Sequence, residues 1–224
     1  RLSLVGSEMC IRDSYYNSRT TDMLYLYNVS VPPFTYNTLL ANIGSMRNWG
    51  TEIAIGITPL KTKDMELNIN ANITFQRNKL LSLSGMYNGE MLSAPEYKSL
   101  AGLDGAGFHG GYNHIVYQMV GQPLGVFYLP HSTGLESDGN GGYTYGIADL
   151  NGGGVSLEDG EDRYVAGQAV PKTILGSNIS FRYKRFDLSL QVNGAFGHKI
   201  YNRTSLTYMN MNIFPDYNVM KKAP

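Results

Sequence analysis

The sequence contains one cysteine, Cys10, which excludes an internal disulfide and any zinc or redox motif built from paired thiols. Charge is also scarce. Asp, Glu, Lys and Arg make up 16% of the 224 residues, against about 25% in ordinary soluble proteins. The 18 basic and 18 acidic residues cancel, so there is no net field to draw in nucleic acid. No run of about 18 apolar residues is present, which excludes a transmembrane helix. It does not exclude a membrane, because a barrel strand crosses with about 9–11 residues and only one apolar face. A signal peptide and an initiating Met are both missing ahead of Arg1, and the expectation is that the true N-terminus lies upstream.

What the sequence has in plenty is Gly (26) and Tyr (17), a strand-and-turn composition poor in helix formers. The clearest element is residues 64–75. Met65, Leu67, Ile69, Ala71, Ile73 and Phe75 fall on one face, and Glu66, Asn68, Asn70, Asn72 and Thr74 on the other. Alternation of this length predicts a β-strand with an amide-rich polar face. Such a strand suits either a barrel wall between lumen and lipid or one sheet of a soluble sandwich. Thr51–Thr58 alternates around Ile53, Ile55 and Ile57, and a short turn opened by Pro59 is predicted between the two strands. Leu175–Tyr183 and Phe186–Asn193 alternate on either side of Lys184-Arg185, which predicts a hairpin. Further strands are expected near 15–27, 35–46, 112–120, 124–130 and 203–212. Residues 84–111 and 131–170 are rich in Gly, Ser, Asn, Asp and Tyr and read as long loops. Short turns at one end and long loops at the other is the asymmetry of outer-membrane barrels. Tyr25, Tyr27, Tyr183, Phe186, Tyr201 and Tyr208 lie near strand ends, as interfacial aromatic girdles do.

Ser3–Ser14 resembles a translated sequencing adapter, so residues 1–14 are expected to be disordered and outside the fold. Residues 15–224 are expected to be one barrel region, truncated at both ends.

Several segments then resemble one family, in order along the chain. Asn42-Ile43-Gly44-Ser45-Met46-Arg47-Asn48-Trp49-Gly50-Thr51-Glu52 is similar to the N-x-G-x-x-x-N-x-G-x-E segment of SusC/RagA-type TonB-linked outer-membrane proteins. Thr58–Asp64 resembles the next periplasmic turn, and Asn78–Leu83 follows as the family pattern has it. Val120–Tyr128 resembles its G-x-P-x-G-x-F-Y strand, and Tyr183–Ser189 with Gly194–Asn202 its closing hairpin. The resemblance implies an all-β fold, a partial antiparallel transmembrane β-barrel with long extracellular loops, cut from a large plugged barrel. It further implies import of oligosaccharides, or of peptides, across a Gram-negative outer membrane. The implied partners are a SusD-like surface lipoprotein, the TonB complex acting through an upstream plug, and outer-membrane lipid. No enzymatic step and no catalytic residue is implied. The competing reading is a soluble or cell-surface β-sandwich that binds carbohydrate, and burial of Leu67, Ile69 and Ile73 against a facing sheet would favour it.

Loop aromatics are the candidates for ligand contact. Tyr112, Tyr117, Tyr128, Tyr143 and Tyr145 could stack on sugar rings or peptide side chains. Asp149-Leu150-Asn151-Gly152-Gly153-Gly154 resembles the family's D-x-N-G-D-G calcium loop, with Asp149, Asn151 and the downstream Asp159 as possible ligands. Gly153 replaces the second Asp of that pattern, so weak binding or none is expected, and no other cofactor is implied. His109, His114, His131 and His198 lack metal-ligand spacing. The glycine clusters fit neither phosphate-loop pattern, and no G-x-S-x-G elbow occurs.

Overall fold

A computed structural model of the chain describes residues 8–94, 97–102, 114–137, 139–156, 161–209, 216 and 218–221. The chain divides into two compact units. Unit 1 comprises residues 1–95, 120–123 and 170–198. It contains β1 (Met9–Asn28), β2 (Thr38–Lys61), β3 (Met65–Ser82), the small hairpin β4 (Gly85–Tyr87) and β5 (Glu90–Leu92), and later β12 (Thr173–Tyr183) and β13 (Phe186–Phe196). Unit 2 contains β6 (Tyr97–Gly102), β7 (His114–Met119), β8 (Val126–Pro130), β9 (Ser132–Ser137), β10 (Tyr143–Ile147), β11 (Arg163–Gln168) and the one-turn helix α1 (Arg203–Tyr208). The long loops of the sequence therefore supply most of unit 2, including strands in both stretches expected to be irregular. Their Gly and Ser content marks turns between short strands, not an absence of strands.

The strongly alternating segments form one antiparallel sheet in the order β1-β2-β3-β12-β13. Its register is continuous over many rungs. Ile57, Ile69, Ile179 and Leu190 lie side by side across four strands, and Ile55, Ala71, Ser177 and Val192 follow on the same face. Between these rungs the opposite face presents Gly56, Asn70, Asn178 and Gln191 together, then Ala54, Asn72, Gly176 and Asn193. One residue of slip anywhere would mix the two faces, so the side-chain pattern itself fixes the register.

Three details depart from expectation. Thr38–Lys61 is one strand instead of two, and Pro59 sits inside it. The ladder breaks its register between Ile57 and Leu60, and a bulge is where a residue without an N–H can be carried within a strand. The turn is therefore shorter than expected and is closed by Thr62, whose hydroxyl accepts the Met65 N–H at 2.9 Å. Residues 203–208 form helix α1 and not a strand. The side chain of Asn202 accepts the Ser205 N–H at 2.9 Å, an N-cap that alternation cannot reveal. Finally, residues 9–14, expected to be disordered, form the start of β1 and pair from Met9 opposite Ile57 to Ser14 opposite Glu52. The unpaired edge of β2 offers backbone groups to any extended segment. The side chains match less well than the backbone, because Asp13 falls opposite Ile53 on the apolar face.

Among the described residues, buried side chains include Leu80 and Leu83 and several small clusters. In unit 1, Tyr27, Ala41 and Leu92 pack together, with Tyr25, Leu39 and Ile43 against them. In unit 2, Ile115 packs with Phe127, and Tyr117 with Val126 and Tyr128. The Ile57–Ile69–Ile179–Leu190 and Ile55–Ala71–Ser177–Val192 rungs of the five-stranded sheet belong to none of these clusters.

Candidate functional site

The five-stranded sheet presents its two faces very differently. On the apolar face, Phe186 is 78% exposed, and Leu188, Leu190, Val192 and Phe196 are also exposed. From the Met65–Tyr183–Phe186 rung to the Phe75–Thr173–Phe196 rung, the apolar surface runs about 33 Å along the strands at ~3.3 Å per residue. Tilted as barrel strands are, that gives about 25 Å, the height of a lipid-facing band. Leu67, Ile69 and Ile73 are only half-buried. The burial that would have favoured the sandwich is not found.

On the opposite face, glycine and alanine alternate with amides to form an open groove of about 430 Å³. Gly56, Asn70, Asn72, Gly176, Asn178 and Asn193 contribute to its lining. At Gly176 the Asn72 carboxamide oxygen occupies the space a Cβ would take. Side-chain amides offer both donors and acceptors without net charge, so this face can hydrogen-bond neutral polar surfaces. At the short-turn end the same face carries one ion pair, Arg182 with Glu66. Glu66 also accepts from the Asn68 amide at 3.2 Å. Towards the other end, Tyr16 lies over Gly50, where any Cβ would strike the Tyr16 ring and the Phe75 carbonyl oxygen. Sequence reading did not single out this amide face as a site. Its signal was present in the polar half of each alternating strand, but only the register aligns those halves.

The tyrosines expected to contact ligand separate into two groups. Tyr117 is completely buried and Tyr128 nearly so. Their rings meet edge to face with centroids 5.4 Å apart. The Arg163 guanidinium lies over the Tyr117 ring and donates through Nη1 to its hydroxyl at 2.8 Å. Both rings are consumed by packing within unit 2, which leaves no ring face for a sugar. Tyr143 and Tyr145 are different. They lie two residues apart on β10, which pairs with β9 so that Tyr145 is opposite Leu135. They are 76% and 69% exposed, on one face of a hairpin. Tyr112 lies outside the described residues.

The loop that resembles a calcium site is closed by its own backbone. Asp149 accepts the Gly152 N–H on Oδ1 at 2.6 Å and the Gly154 N–H on Oδ2 at 3.0 Å. Asn151 accepts the Gly153 N–H at 2.8 Å and donates its amide to Glu161. Asp162, which sequence reading did not choose, anchors the loop. It accepts the Ser156 N–H at 2.7 Å, the Leu150 N–H at 2.6 Å and, more weakly, the Asn151 N–H. These bonds, led by that from Ser156, hold its carboxyl below the usual aspartate range despite an opposing effect of burial. No group of three metal-ligating side chains is assembled among the described residues. The oxygens of Asp149 and Asn151 thus accept N–H groups of the loop itself. Asp159 lies outside the described residues.

No protein-family model matches the chain. Curated relatives do. A TonB-dependent receptor of Formosa agariphila is 26% identical over 211 residues, covering 91% of this chain and 20% of the relative. Its relatives are TonB-dependent receptors. Another is the receptor SusC of Bacteroides thetaiotaomicron, 26% identical over 84% of this chain and 18% of its own length. Among solved structures, the RagAB peptide importer in its open-open state superposes with a TM-score of 0.62 at 18% identity, over 87% of this chain and 19% of that one. A second RagAB structure gives 0.59 at 20% identity. The chain spans about a fifth of the length of these proteins. The resemblance to SusC/RagA receptors thus holds over most of the chain, and the fold is that of part of an antiparallel barrel wall.

Proposed function

We propose that this chain is a portion of the wall of an outer-membrane importer. One face of its long strands meets lipid, and its amide face lines a polar interior. The observation that carries this reading is the continuous two-faced register of the five-stranded sheet. It leaves isoleucine and leucine rungs outside every packed cluster and gathers uncharged amides opposite them. The receptors it resembles supply the rest of the reading. Cargo is an oligosaccharide or, as in the RagAB peptide importer, a peptide. A surface lipoprotein covers the loop end, and the TonB complex acts through a plug encoded upstream. Import moves cargo without making or breaking a covalent bond, so the chain needs no catalytic group. Tyr143 and Tyr145, exposed side by side on one hairpin face, are the aromatic contacts offered to cargo.

Recovery of the DNA that flanks codons 15–224 tests this reading. A plug domain upstream and a surface-lipoprotein gene beside it are expected. A start codon in frame with residues 1–14, and no plug, would return the soluble sandwich to first place.

A further inference from the structure

Above its apolar band, the outward face of the five-stranded sheet changes character abruptly. The rung after Thr51–Phe75 carries Asn17, Trp49 and Arg77, and the next carries Arg19, Arg47 and Lys79. Residues directly opposite in an antiparallel pair point to the same side, and like charges so placed repel. Arg19, Arg47 and Lys79 are nevertheless aligned across three neighbouring strands, and all three are exposed. No carboxylate among the described residues pairs with them. The nearest acid along the chain, Asp22, lies in the bulge of β1 and accepts from the Thr21 hydroxyl. Arg47 is held in place, with its Nε donating to the Asn17 side chain at 2.8 Å and its guanidinium 5.1 Å from the Trp49 ring centre. Arg77 is anchored by its Nη1, which donates to the Lys172 carbonyl at 2.9 Å. Tryptophan beside a lipid-facing band sits at headgroup depth. These cations therefore stand at the headgroup level of the leaflet on the loop side, one or two rungs outside the hydrocarbon.

We propose that the Arg19–Arg47–Lys79 rung, with Arg77 and Trp49 beneath it, is a docking site for the phosphate groups of an anionic glycolipid in the outer leaflet. The proposal rests on the barrel-wall reading above. The apolar rungs below the site would take the acyl chains, and the indole would lie against the sugar. The forked guanidinium of Arg47 matches phosphate oxygens two at a time, while Lys79 adds a point charge. An anion lying across the rung converts repulsion between the three cations into a shared attraction. The amide face has no counterpart to this cluster, so the asymmetry is not a general basic bias of the sheet.

Trp49 is the sole tryptophan, so its fluorescence reports on this site alone. The full chain is mixed with phosphatidylcholine vesicles carrying brominated acyl chains. In parallel samples one lipid in ten is replaced by lipid A or by its dephosphorylated form. Trp49 should be quenched in all three. Partitioning should be about tenfold stronger or more with lipid A, with no gain from the dephosphorylated lipid. Each of Arg19→Gln, Arg47→Gln and Lys79→Gln should cost about fivefold of that gain. Arg19→Lys with Arg47→Lys should keep most of it, and Arg182→Gln on the opposite face should change nothing. Equal partitioning of the wild type and the triple Gln variant into lipid A vesicles would overturn the proposal, and so would an equal gain from the dephosphorylated lipid. Quenching in phosphatidylcholine would survive either result, leaving the barrel wall intact. No quenching in any vesicle would remove the wall and the lipid site together.

Discussion

Strands β8 and β13 are both apolar-rich, yet they are buried in opposite ways. Val126, Phe127 and Tyr128 are successive residues of β8, and all three are buried. No residue of β13 is buried, although Phe186, Leu188, Leu190 and Val192 are as apolar. The difference is written in the period. An unbroken apolar run needs cover on both faces, and unit 2 supplies it with Ile115 and Tyr201 on one side and Tyr117 on the other. A strictly alternating strand needs apolar cover on one face only, and among the described residues the apolar face of β13 stays exposed. Unit 2 covers its unbroken apolar run with its own side chains, while the apolar rungs of the five-stranded sheet in unit 1 stay exposed or half-buried.

That contrast breaks most readily at Ile69, in the middle of the apolar band. Ile69→Arg should cost about 2–4 kcal/mol of stability in bilayers, whereas Asn70→Arg on the next residue should cost little. Chemical unfolding in vesicles measures both, and equal effects would mean that the two faces do not meet different media. Next in size is Tyr117→Phe, which removes the hydroxyl that accepts from Arg163 in a buried setting. A loss of about 1.5–3 kcal/mol is expected, confined to unit 2 and the same in detergent as in lipid. An effect that depends on lipid would show that unit 2 is not packed for itself.

Acid should act more locally. The carboxyl of Asp162 is held below the usual aspartate range, so its contribution is complete at pH values above that range. It is lost as pH falls through the lowered value, when the group becomes protonated. Amide exchange at Leu150 and Ser156 should therefore quicken beyond its ordinary pH trend only in strong acid, and Asp162→Ala should produce the same quickening at neutral pH. Smallest of all is Arg182→Gln. Its ion pair with Glu66 is partly exposed, and about 0.2–1 kcal/mol is expected in thermal unfolding.

The strands of the five-stranded sheet were legible because alternation needs only the local sequence. The candidate site was less so. Tyr117 and Tyr128 lie in expected strands and Tyr143 and Tyr145 in an expected loop, and nothing in their neighbours tells a ring that packs from one that stays exposed. For Tyr117 that distinction depends on Arg163, 46 residues away along the chain and adjacent in space. Asp162 escaped notice because its partners are backbone N–H groups, which carry no sequence signal. Helix α1 was missed for a similar reason, since one capping side chain outweighed a short alternating pattern.

By itself the sequence determined that the chain is built of strands, that its long strands are two-faced, and that it resembles SusC/RagA receptors. These follow from the side-chain period and from local motifs, which need no knowledge of what lies across the sheet. Only the tertiary structure decided which strands are neighbours and which residues share a rung. β12 pairs with β3 across more than ninety residues of intervening chain, and Arg19, Arg47 and Lys79 meet on one rung only because two ladders share a register. Pairing at such distances is a balance of loop closure against backbone and side-chain complementarity. No local window of sequence contains both sides of that balance.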